Sequence, residues 1–190
     1  MKSLKQLGTR SISLPLLADD VLEFHAARLL LLLKVCGTAG RIEGLTKMAK
    51  LDFFARYPDF FAAAKAAGIS KKSAAPNAPI DSGDAVESAM IRHHYGPWDK
   101  RYYHILAHLE AKKLIDVTKH KNAYWITLTE MGSGRAKALV ARPSFAPLVS
   151  RMREVKQSFG GRSGNSLKDL IYTMFDREVG RRPLGEMIQK

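Results

Sequence analysis

Five of the chain's six histidines fall between positions 93 and 120: His93, His94, His104, His108 and His120. Imidazole is the commonest metal ligand, and its ordinary pKa of about 6.5 sits beside neutral pH. His104 and His108 are four residues apart, which puts both on one face of a helix, within reach of a metal shared with His93-His94. The pattern stops short of a metal site. No glutamate lies between them in metalloprotease order, and the lone cysteine, Cys36, is remote. No metal is expected. The same spacing does build a basic face, because Arg101, His104, His108 and Lys112 recur at intervals of three and four. Such a face suits a polyanion. Acidification below about pH 6.5 would add charge to it.

Other reactive constellations are missing. Gly132-Ser133-Gly134 lacks the lysine and hydroxyl of a phosphate loop. Phe159-Gly160-Gly161-Arg162-Ser163-Gly164 has no strand ahead of it for a dinucleotide site. Asp52 with Asp59, or Asp81 with Asp84, could hold Mg²⁺, but nothing selects them. Cys36 lies in an apolar run with no acid-base partner near it, and reads as a small buried residue before it reads as a nucleophile. Neither catalytic residues nor a cofactor are expected, and the chain is read as non-enzymatic. One cysteine rules out an internal disulfide and fits a reducing, cytoplasmic setting. Leu29–Leu33 is bracketed by Arg28 and Lys34, far short of the roughly 20 apolar residues a membrane span needs. No membrane association is expected.

The elements that position the basic face lie between Tyr95 and Leu139. Gly96-Pro97 marks a turn and Asp99 can cap a helix, with no proline or glycine from Lys100 to Leu114. Tyr102, Ile105, Leu106 and Leu109 form its apolar side. Leu114–Val117 and Tyr124–Leu128 then make a β-ribbon whose tip is Lys119, His120 and Lys121. A helix can enter the major groove, about 12 Å wide, while such a tip reaches phosphate. Trp98 and Trp125 are read as packing in or over the core, with base stacking as the lesser reading.

At 190 residues and 46% hydrophobic, the chain can bury a substantial core. Its net charge of +13 predicts a polyanionic partner. Residues 131–190 alone carry +7, from 12 basic and 5 acidic side chains. Val21–Val35 reads as a helix apolar on nearly every side. Residues 41–57 read as the next helix, with Thr46 as a possible cap and Pro58 as its end. Lys47 and Lys50 on it either touch phosphate or are solvated. Phe60–Ala67 reads as a short helix, 70–84 as flexible, and 85–93 as another helix. Beyond Pro143 and Pro147, Leu148, Met152, Val155 and Phe159 make one apolar stripe. A Ser166-capped helix follows, with Leu170, Ile171, Met174 and Phe175 on one face.

The segment LEAKKLI…YWITLTEMGSGRAKAL is similar to the end of the recognition helix, the wing and the following helix of winged helix-turn-helix regulators. That resemblance implies a mainly α fold with a small β-ribbon. It would comprise a winged-helix domain over 1–140 with an insertion at about 59–92, and a C-terminal helical extension over 141–190. It implies DNA contacts from Lys100, Arg101, His104, His108, Lys112, Lys119, His120 and Lys121, with Lys47 and Lys50 at the support helix. GRIEGLTKMAKLDFFARYP together with SLKDLIYTMFD resembles the small middle component of Lamassu-type bacterial defence systems, which are built on an ATPase of the structural-maintenance-of-chromosomes kind. That likeness implies larger ATPase or nuclease subunits as partners, docked on the stripes Leu148–Phe159 and Leu170–Phe175. The alternative is a stand-alone dimeric transcription regulator, paired through the same stripes and reading double-stranded DNA.

Overall fold

The computed structural model describes residues 21–69 and 90–188. Helix α1 (Leu22–Cys36) runs through the middle of the fold, with Leu29 to Leu33 all buried. A helix with leucine on every side needs neighbours on every side. β1 (Arg41–Glu43), α2 (Leu45–Arg56), α3 (Pro58–Ile69), the short strands β2 (Ile91–His93) and β3 (Gly96–Trp98), α4 (Tyr102–Ala111), β4 (Ile115–His120), β5 (Ala123–Leu128), α5 (Glu130–Val140), α6 (Ala146–Phe159) and α7 (Gly164–Met174) follow in order, and α2, α4, α5, α6, β1 and β5 pack against α1. The chain is thus mainly helical with a small antiparallel sheet, as its pattern predicts. That sheet has the order β1-β5-β4, and β2 pairs with β3 as a separate ribbon. No helix among the described residues is long and apolar enough to cross a membrane.

The structure corrects several expected boundaries. Residues 41–57 are not one helix. Arg41–Glu43 pairs with β5, Ile42 facing Ile126, and Gly44 at φ 95° turns the chain into α2. Alternation of exposed and buried residues over Arg41-Ile42-Glu43 is a strand signal that the longer helical stripe masked. Gly44, not Thr46, stands at the start of α2, with no side-chain cap. Ser163, not Ser166, caps α7, its hydroxyl accepting from the Ser166 N–H. Of the helix expected over 85–93, the end Ile91–His93 is strand β2, and residues 85–89 lie outside the described residues, as do residues 1–20 and the 70–84 stretch.

The largest correction concerns residues 141–188. One hydrophobic cluster spans Ala26 to Ile188, so α6 and α7 share the core of the preceding helices and are not an appendage. Met152, Val155, Phe159, Ile171 and Phe175 are buried. Phe159 packs on Phe54 and Phe175 on Phe60, each pair with ring centroids 4.7 Å apart. The Cys36 thiol donates to the Met152 carbonyl at 3.3 Å, and burial pushes its pKa up to about 12, the un-ionised small residue its surroundings predict. Leu148, Leu170 and Met174 lie partly buried against the same core. Stripes expected to meet a partner therefore meet this chain's own helices.

Helix α5 sits unusually close to the end of α4. A Cβ at Gly132 would overlap the Leu114 carbonyl oxygen, whereas one at Gly134 meets nothing within 4 Å. The same substitution should therefore have opposite signs two residues apart. Gly132→Ala should destabilise the protein by about 2 kcal/mol or more, through forced backbone displacement. Gly134→Ala should stabilise it by up to about 1 kcal/mol, by helix propensity. Thermal melts followed by circular dichroism separate the two, and equal shifts would contradict the close approach.

Candidate nucleic-acid interface

Helix α4 is oriented by what it buries. Tyr102, Ile105, Leu106 and Leu109 enter the core, and the Tyr102 hydroxyl donates to Asp52 Oδ2 at 2.7 Å. The opposite side, Tyr103, His104, Ala107 and Lys112, is exposed, with His108 half-buried. Three of the four residues expected to form a basic face do so: His104, His108 and Lys112. Glu110 also lies outside, where its carboxylate accepts from the Val117 N–H at 3.1 Å and covers the free edge of β4.

Arg101 differs. It precedes the helix and turns back on Asp99. Its Nε donates to Oδ1 and its Nη2 to Oδ2, both at 2.9 Å, while Nη1 lies 2.7 Å from His25 Nε2. Asp99 Oδ1 also accepts from the Arg101 backbone N–H at 3.0 Å, an Asx turn that leads into α4 in place of the direct cap expected. Arg101 is therefore a strut of the fold, while Lys100 beside it is exposed.

Asp99 is one of two acids in a buried ionic network. Arg28 from α1 lies 3.2 Å from Asp52 and 3.5 Å from Asp99, and Arg56 reaches Asp99 at 3.0 Å. Arg28 Nη1 stands 2.8 Å from His25 Nδ1, so that imidazole sits between two guanidinium groups. Burial alone would raise the pKa of Asp99. Hydrogen bonds from Arg101, with the charges of Arg56 and Arg101, outweigh it and hold the carboxyl well below the usual carboxylate range. The Tyr102 phenol is pushed up, by burial first and then by Asp52. Sequence reading assigned no site role to His25, Arg28 or Arg56, and weighed Asp52 only as a Mg²⁺ ligand beside Asp59. The signal was Arg28 itself, a cation inside an otherwise apolar helix, which has to be paired.

The two lysines of α2 do not face solvent as expected. Lys50 is fully buried and its ammonium donates to the Pro97 carbonyl at 2.7 Å. Burial, then the charge of Lys168, lowers its pKa to about 7. Lys47 is partly buried and donates to the Gly160 carbonyl at 2.8 Å. Lys50 is thus removed from any phosphate contact, and Lys47 is committed to the turn before α7.

The β4–β5 tip does present its cations: Lys119, His120 and Lys121 are exposed, with Lys121 at φ 54° in the turn. Trp98 is buried as expected, but Trp125 lies on the outer face of the sheet. His120 stacks on it at 4.2 Å between centroids, and the Arg41 guanidinium lies 4.2 Å from the same ring. Arg41 was not expected here, because its strand had been read as helix. Among the described residues no group of three or more His, Cys, Asp or Glu side chains is arranged to hold a metal ion.

Comparison of the chain with family models, with curated proteins and with solved structures finds no match.

Two predictions test the buried charges. Asp99→Ala should cost about 3–5 kcal/mol in denaturant unfolding, since it strands buried guanidinium groups. Lys50 has a folded-state pKa below its unfolded value, so wild-type stability should rise as pH climbs from about 7 toward the ordinary lysine range. Lys50→Met removes that group. Its stability relative to wild type should be most favourable near pH 7 and decline toward pH 10. A difference that does not change with pH would show that Lys50 is not titrating there.

Proposed function

We propose that this chain is a non-enzymatic winged-helix protein associated with double-stranded DNA, acting as the small accessory subunit of a bacterial defence-type ATPase or nuclease complex. The observation that carries the DNA part is the order α1-β1-α2…α4-β4-β5, with β1 laid against β5 and β4 outside it. In a winged helix that order makes α4 the recognition helix and the β4–β5 ribbon the wing. His104, His108 and Lys112 would enter or flank the groove, and Lys119, His120 and Lys121 would contact backbone phosphate. In this reading α3, the undescribed stretch after it and the β2–β3 ribbon are the insertion between support and recognition helices.

The subunit reading draws support from packing. The two segments that carry the defence-component resemblance lie in α2 and α7, which pack together, Gly164 coming so close that a Cβ there would stand 2.8 Å from the Lys47 nitrogen. The stripes on which a larger subunit or a second copy would have docked are spent inside the chain, so either partner would have to meet another surface. Exposed cations of the C-terminal third, such as Arg135, Arg153 and Arg177, remain available to nucleic acid or an acidic partner.

Fluorescence anisotropy with short duplexes of unrelated sequence provides the test. Dissociation constants near 10⁻⁴–10⁻⁶ M at physiological salt are expected, with little sequence preference. Substituting Lys119→Ala and Lys121→Ala together should weaken all duplexes alike and flatten the slope of log K against log salt by about 2. A dimer holding one sequence at about 10⁻⁸ M, about 10³-fold above the rest, would establish the regulator instead. Affinity purification from native cells should recover an ATPase or nuclease in fixed ratio after nuclease treatment. Recovery only of itself with one DNA fragment would reverse the assignment.

A further inference from the structure

A cleft of about 300 Å³ opens between α1, α4 and α5. We propose that it binds a small amphiphilic monocarboxylate, of which a medium-chain alkyl acid is the simplest example. Its floor is apolar: Ala26 and Leu30 from α1, Leu109 from α4 and Leu139 from α5. Its rim is cationic: His108 and Lys112 from α4, with Arg135 and Arg142 on one stripe of α5 and the turn after it. Elsewhere the cations that line the core are engaged, Arg28, Arg56 and Arg101 on aspartates and Lys47 and Lys50 on carbonyls. Among the described residues no hydrogen bond or ion pair holds the side chains of Lys112, Arg135, Arg142 or His108.

Charge and shape together define the ligand. Apolar contacts favour an alkyl or aryl body. The rim offers charge-assisted donors to a carboxylate lying at the mouth. Glu23, the one acid in the lining, offsets part of the charge of Lys112, Arg135 and Arg142, and the remaining positive charge matches a carboxylate at the mouth. The volume is at the lower end of small-molecule sites. The Arg135–Arg142 side of this site stands whether or not α4 meets DNA, whereas His108 and Lys112 are shared with the groove reading.

Isothermal titration of the full chain with octanoate should give saturable binding at one site per chain. Octan-1-ol, with the same body and no charge, should bind at least about tenfold more weakly. Arg135 and Arg142 are exposed, so Arg135→Glu with Arg142→Glu should keep the wild-type circular dichroism spectrum and melting temperature while weakening octanoate at least about tenfold. Should that variant misfold, the pair Arg135→Gln and Arg142→Gln is read the same way. A second variant, Ala138→Trp, fills the cleft from its exposed lip and should abolish the heat. Absence of saturation, equal affinity for octanol, or undiminished binding by a folded charge variant would each overturn the site.

Discussion

Asp52 and Asp99 decide where three helices sit. Each lies in the core, and an unpaired carboxylate there would cost several kcal/mol to desolvate. The compensation comes from different parts of the chain: Arg28 on α1, Arg56 on α2, Arg101 and Tyr102 at the start of α4. Hydrophobic contacts tolerate sliding, since a leucine finds another leucine. Directional bonds to Asp52 Oδ2 and to both oxygens of Asp99 do not. The network therefore fixes the mutual rotation of α1, α2 and α4, while the leucine, phenylalanine and methionine side chains around it supply cohesion.

What the surface offers follows from that anchoring. Because Tyr102 and Arg101 are held from inside, the outward face of α4 is set to His104, His108 and Lys112. The approach to α4 is fixed as well. Asp99 follows the β2–β3 ribbon, which Lys50 braces at Pro97 and the Tyr172 hydroxyl braces at the His93 carbonyl. Backbone bonds from Arg92 to Glu186 and from Ile188 to Met90 close its other side. Residues far apart in sequence thus hold one short helix in place, and the C-terminal helices contribute to that as core, not as a free arm.

Much of this was legible in the sequence where a pattern is local. The apolar faces of α4, α6 and α7, the leucine-rich α1 and the basic ribbon tip all follow from periodicities of 3.6 and 2. Strand β1 was hidden because a three-residue alternation, Arg41-Ile42-Glu43, abuts a much longer helical stripe. The fates of Lys47, Lys50 and Arg101 were illegible for another reason. A cation on a helix or turn looks the same in sequence whether it meets water, a carbonyl 47 or 113 residues away, or a carboxylate two residues back. For the stripes of α6 and α7 the apolar face was read correctly. Only the identity of what covers it, other helices of the same chain, required the tertiary arrangement.

The root of the β4–β5 ribbon has a mechanical consequence. Its two strands leave the body side by side, and there the Thr129 N–H donates to the Leu114 carbonyl while the Thr129 hydroxyl donates to that of Lys113. The same hydroxyl caps α5 by accepting from Gly132, whose missing side chain lets the helix abut Leu114. Three hydrogen bonds at Thr129 tie this junction to the end of α4 and the start of α5. A load on the tip residues Lys119–Lys121 is delivered as torque to α5, and through the α5–α1 contact to the centre of the molecule. The ribbon is a lever with its fulcrum at Thr129, and whatever grips its tip is coupled rigidly to the core.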